Sequence, residues 1–125
     1  MNQYVHFNFL NVSEKSTKNR KFTQIHYTGW PDFGAPTNTA PITNMVKDVR
    51  KMVTMLQKTT QINILVHCSA GVGRTGTLIV LYQMMEDLDK LVPRYEQGCG
   101  NSDLSVDVFN TVLNYRSKRV HMVCV

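Results

Sequence analysis

Residues 67–76, HCSAGVGRTG, constrain this chain more than any other stretch. They lie between an apolar run at residues 62–66 (INILV) and a helical pattern that begins at Thr77 (TLIVLYQMMEDL). A strand, a glycine-rich turn and a helix in that order aim backbone N–H groups and a helix N-terminus at one point, and such a point favours an anion. Cys68 stands at the entry of the turn and Arg74 at its exit, which points to an anion that is attacked as well as held.

The 125 residues predict one domain, large enough to bury about two-thirds of its unfolded surface. The longest apolar runs are too short to cross a bilayer, and MNQYVHFNFLN at the N-terminus has no basic segment followed by an apolar core. The expected setting is therefore cytoplasmic, or nuclear, with no membrane segment. A formal charge of +5 suits an acidic partner or substrate, although many proteins carry that charge with no special partner, and no nucleic acid is expected. The three cysteines are odd in number and none pair at zinc-like spacing, so reduced thiols are the default and no metal is expected.

Along the chain, residues 4–10 alternate apolar and polar, and residues 22–28 (FTQIHYT) form a second strand candidate, which predicts antiparallel strands at the start. Residues 29–36, GWPDFGAP, hold two glycines and two prolines and read as a stiffened loop. Aromatic residues around Asp32 in such a loop are accounted for by pinning the turn to the core. Residues 41–58 carry apolar residues at Ile42, Met45, Val46, Val49, Met52, Val53 and Leu56, the spacing of an amphipathic helix, with Pro41 in its first turn. Residues 62–67 read as a strand covered on both faces. A helix is expected over about 75–91, then an irregular stretch at 92–104. Ser105 is the expected cap of a last helix with Asp107 in its first turn and Val106, Phe109, Val112 and Leu113 as its stripe. Arg116, Lys118 and Arg119 suit the negative end of that helix dipole. The fold class expected is α/β: a mixed sheet with a central strand–loop–helix cradle flanked by helices.

Residues 71–76 also match the dinucleotide fingerprint G-x-G-x-x-G. That fingerprint needs a following strand ending in an acidic residue, and only an irregular stretch and a helix follow here. The nucleotide phosphate loop fails too, because Thr77 stands where lysine is required. Neither reading gives Cys68 or Arg74 a task, whereas a thiolate phosphatase does. Converging amides, a helix N-terminus and a nearby arginine stabilise a thiolate and lower its pKa below the free value of about 8.5. Gly71 and Gly73 allow dihedrals closed to other residues. Arg74 offers two parallel donors to phosphate oxygens, and the Thr75 hydroxyl can hydrogen-bond the sulfur as it departs.

HCSAGVGRTG resembles the signature of the protein tyrosine phosphatases. YTGWPDFGAP (residues 27–36) is similar to their acid-carrying loop, and residues 106–120 (VDVFNTVLNYRSKRV) resemble the helix after the signature. The Trp30-Pro31-Asp32 form points to the tyrosine-specific branch. The resemblance implies phosphotyrosine hydrolysis through a cysteinyl-phosphate intermediate, without a metal or cofactor. Cys68 is then the nucleophile, Arg74 the phosphate clamp and Asp32 the general acid and later base. Ser69, Ala70, Gly71, Val72 and Gly73 supply the amide cradle, with His67, Thr75, Arg116 and Trp30 in support; His67 helps set the cysteine pKa and Arg116 supports the loop. Phosphotyrosine proteins or peptides are the implied partners.

The family's domain is usually about twice this length, so residues 1–125 are expected to form one partial domain corresponding to its later half. The loop that grips the phosphotyrosine ring and the glutamate that orients the arginine belong to the earlier half. Cys124 occupies the position of a water-positioning glutamine, and residues 92–104 form a longer connection than usual. Uncovered sheet edges then favour self-association. The alternative is a weak or inactive phosphotyrosine-binding module that keeps the cradle.

Overall fold

The computed structural model describes residues 4–8, 22–31, 34–98 and 105–124. The chain divides into two compact units, Met1–Asp48 and Val49–Val125.

In the first unit, β1 (Tyr4–Asn8) pairs antiparallel with β2 (Thr23–Tyr27), with Tyr4 opposite Tyr27 and Asn8 opposite Thr23. The expected opening strands are present, β2 one residue shorter at each end than its sequence pattern. Residues 9–21, which connect them, lie outside the described residues. After β2, the Trp30 indole N–H donates to the Gly34 carbonyl over 3.1 Å, and Trp30 stacks edge-on to Tyr27 at 6.4 Å. Gly34 adopts a φ of 81°, a conformation that costs glycine little. Asp32 and Phe33 lie outside the described residues.

Helix α1 (Ala40–Leu56) forms where its apolar spacing predicts, with Asn38 accepting the Ala40 amide at its entry. Ile42, Met45, Val46 and Val53 are buried. The helix ends two residues before the expected limit, in a turn that returns the Thr59 and Thr60 amides to the Leu56 carbonyl.

The second unit departs from expectation at residues 62–67. These form no strand, and the two-stranded β1–β2 sheet replaces the expected mixed sheet among the described residues. An apolar run supplies side chains for a core, but a strand also needs a neighbour to complete its hydrogen-bond ladder. Residues 62–67 have no such neighbour among the described residues. The run intended for burial is instead open, with Leu65 88% exposed and Ile64 49%.

Helix α2 (Gly73–Glu96) is longer than expected and passes through Pro93. The proline removes one amide donor and crowds the carbonyl four residues earlier, a cost that sequence reading takes as a stop. The backbone nevertheless continues until Gly98, at φ 85°, turns the chain, with the Gln97 amide on Pro93 O and the Gly98 amide on Tyr95 O. Arg50 of α1 pairs with Asp89 and lies 5.9 Å from the Tyr82 ring, fastening the second half of α1 to α2.

Helix α3 (Val108–Lys118) packs on α2 and is capped by Asp107 rather than Ser105. The Asp107 carboxylate accepts the Asn110 amide over 2.9 Å, the bond an N-cap makes three residues ahead. The expected stripe is only partly covered: Val106 and Val112 are half-buried, while Phe109 is 71% exposed. Beyond α3 the tail turns back, and Met122 is buried.

Candidate active site

The turn of residues 68–72 is built against the start of α2. Val72 occupies the N-cap position and has no side-chain group that can cap. The orphan amides of the first turn are therefore left to whatever lies in front of them. The Cys68 thiol lies there, facing the Thr75 amide of that turn, and the Gly71 N–H, just ahead of the helix, donates to Sγ over 3.1 Å. Gly71 holds a φ of 71°, and this left-handed torsion fits the turn that brings its N–H to the sulfur.

Burial of the sulfur pushes its pKa upward. The Thr75 hydroxyl, the Thr75 amide and the Gly71 and Val72 amides together more than reverse that effect and lower the thiol from 9.0 to about 7. Thr75 itself is buried, and its Oγ reaches no partner at full hydrogen-bond geometry. Its effect on the sulfur is that of a hydroxyl dipole held close in a poorly solvated place, slightly short of a well-formed bond.

A second layer supports the loop from the tail. The Val123 amide donates to the Val72 carbonyl over 3.0 Å. The Arg116 guanidinium donates to Met122 O at 2.9 Å and to Val123 O at 3.4 Å, while Arg119 Nη2 donates to Ala70 O at 3.3 Å. The contact is tight enough to select glycines. A Cβ on Gly73 would stand 2.5 Å from the Cys124 carbonyl, and one on Gly76 would run into the Val123 nitrogen. Gly73 thus serves by taking up no space, not by the unusual dihedral expected for it; its φ is not positive.

The second unit therefore brings together Cys68, Gly71, Val72, Gly73 and Thr75, braced by Arg116. Arg74 follows in the first turn of α2 and is half-buried, and His67, Ser69 and Ala70 are exposed at the loop's entry. Trp30 belongs to the first unit. Arg119 and Gly76 have structural tasks that sequence reasoning did not assign. The available signal was a second arginine close to Arg116, at the very end of the helix. Cys124, placed by resemblance at a glutamine position, brings its carbonyl against Gly73.

A thiol with a lowered pKa, facing three backbone amides at the start of a helix, belongs to a class of arrangement that favours an anion. Comparison with known proteins gives the class its family. The profile of the family described as protein-tyrosine phosphatase matches residues 1–125, and the chain belongs to that family. It is 42% identical over 104 residues to receptor-type tyrosine-protein phosphatase epsilon of Rattus norvegicus, covering 83% of this chain and 13% of that protein. It is 34% identical over 116 residues to tyrosine-protein phosphatase 69D of Drosophila melanogaster, covering 93% and 7%. Among solved structures, the protein tyrosine phosphatase TbPTP1 of Trypanosoma brucei superposes with a TM-score of 0.73 at 28% identity, over 98% of this chain and 37% of that one. The chain thus spans a small part of each of these relatives. No helix among the described residues is long and apolar enough to cross a membrane.

Proposed function

We propose that this chain carries the phosphate-transfer apparatus of a phosphotyrosine hydrolase. The observation that supports it best is the 3.1 Å bond from the Gly71 amide to Cys68 Sγ, at the head of a helix with no side-chain cap. The Cys68 thiolate attacks phosphorus in line with the leaving phenolate. The amides of residues 69–73 and the guanidinium of Arg74 hold the equatorial oxygens, where charge must be stabilised. Asp32 protonates the phenolate, whose conjugate acid has a pKa of about 10, and so makes it a workable leaving group. Water then cleaves the phosphorus–sulfur bond with Asp32 as base, and Thr75 steadies the departing thiolate. His67 tunes the thiol, Arg116 braces the loop through the tail, and Trp30 anchors the loop that carries Asp32. The proposed substrates are phosphotyrosine proteins or peptides, with no metal or cofactor required. A reducing, cytoplasmic setting suits a nucleophile that works only as free thiolate.

The test compares hydrolysis of a small aryl phosphate and of a phosphotyrosine peptide by the wild type, Cys68→Ser and Asp32→Ala. Cys68→Ser is expected to abolish turnover, and Asp32→Ala to slow it by about 10²–10⁴-fold, the usual contribution of a positioned acid. Wild-type turnover no faster than that of Cys68→Ser overturns the proposal. If the phosphopeptide is bound but never hydrolysed, the chain is a phosphotyrosine-binding module instead.

A further inference from the structure

Sγ of Cys68 and Nη2 of Arg119 hold opposite ends of one peptide group. The Ala70 carbonyl accepts from Arg119 Nη2 at 3.3 Å, and the Gly71 N–H of the same peptide donates to Cys68 Sγ at 3.1 Å. A trans peptide is planar, with its C=O and N–H pointing in opposite directions, so fixing the oxygen fixes the direction of the hydrogen. The guanidinium also lies against Gly71, with Nη2 3.1 Å from the place a Cβ would occupy. That contact opposes rotation of the peptide about its flanking bonds. A cationic donor on the oxygen further polarises the amide and strengthens the bond that its N–H makes beyond it.

We infer that Arg119 is a positioning residue for Cys68, acting through the Ala70–Gly71 peptide to keep the Gly71 N–H on the sulfur. The inference rests on the functional reading above only in taking Cys68 as the reacting group. It gives Arg119 a task distinct from complementing the α3 dipole, since its side chain reaches the loop 49 residues earlier in the chain. Arg116 differs in kind, because its partners are Met122 O and Val123 O in the tail rather than a peptide that touches the sulfur. The other titratable and charged groups on the elements around the loop are His67 at its entry, Arg74 in the first turn of α2, and His121 and Cys124 in the tail.

The test is the pH profile of iodoacetamide alkylation, read at Cys68 by peptide mass spectrometry so that Cys99 and Cys124 do not contribute. Arg119→Met keeps the stem and removes the donors; Arg119→Ala serves as the second truncation should the first fail to fold by circular dichroism. Either is expected to slow Cys68 alkylation at neutral pH by about two- to fivefold, the loss of thiolate that follows a pKa rise of about half to one unit. The rate at high pH, where every thiol is ionised, stays at the wild-type value. Arg119→Lys, which can still reach a carbonyl with a cation, recovers at least half of the shift. A profile unchanged in both truncations while the wild-type thiol is acidic overturns this inference alone. A proportional loss at every pH also overturns it, by showing general loosening of the loop. A wild-type Cys68 that titrates as an ordinary thiol overturns the functional reading as well.

Discussion

At the scale of single residues, opposing influences meet on the Cys68 sulfur. Burial resists its ionisation, and the Thr75 hydroxyl with three amides overcomes that resistance. Because the folded chain prefers the thiolate, Cys68 adds stability that is fully present above the ordinary thiol value of 9.0 and is lost as the pH falls through about 7. Urea midpoints of the wild type should accordingly climb between those two values relative to Cys68→Ser, and parallel curves for the two proteins would contradict the assignment. Thr75→Val separates reactivity from stability. It removes a buried hydroxyl that has no well-formed partner, so the unfolding free energy should change by less than about 1 kcal/mol. The same change should slow Cys68 alkylation near neutral pH by roughly two- to fivefold, as expected for a pKa rise of about half to one unit. Gly76→Ala should act the other way: its new Cβ meets the Val123 nitrogen and the Met122 carbonyl carbon, which are backbone atoms and cannot step aside. A loss of about 1–3 kcal/mol in chemical denaturation is expected, with Met122 newly open to oxidation.

Among the elements, α2 carries the clearest conflict between local sequence and observed structure. Pro93→Ala restores a donor toward the Asp89 carbonyl and relieves a ring clash, so α2 should gain up to about 3 kcal/mol. Slower hydrogen exchange over the last two turns of α2 would register the gain, and unchanged exchange would show that the end frays regardless. Such conflicts show what the sequence could and could not reveal. The helices were legible because apolar spacing and turn chemistry are local, and the cradle was legible because Cys68, Gly71 and Thr75 lie within one turn. Residues 62–67 were misread because strand formation depends on a neighbour that a one-dimensional pattern cannot supply. The cap of α3 was displaced from Ser105 to Asp107 because two capping residues stood close together, and only the backbone decides which reaches an amide. The reach of Arg119 to the loop was not legible because its partner is a carbonyl, and every residue in the chain has one.

At the scale of the whole molecule, apolar side chains left open to solvent set the solution behaviour. Leu65 is 88% exposed in a segment that makes no ladder, so Leu65→Ser should shift the unfolding midpoint very little. It should also lower the binding of a hydrophobic dye, and a large loss of stability would mean that this side chain is packed in solution. The tail has a less obvious consequence. Val123 sits at φ 61°, a torsion that costs a β-branched residue roughly 1–2 kcal/mol, and its amide and carbonyl are held by Val72 and Arg116. This is a spring wound against two catches. Weakening either catch should let the valine relax toward an extended conformation and move the Cys124 carbonyl off Gly73. Substitutions that weaken either bond should therefore loosen the tail's hold on the turn of residues 68–72.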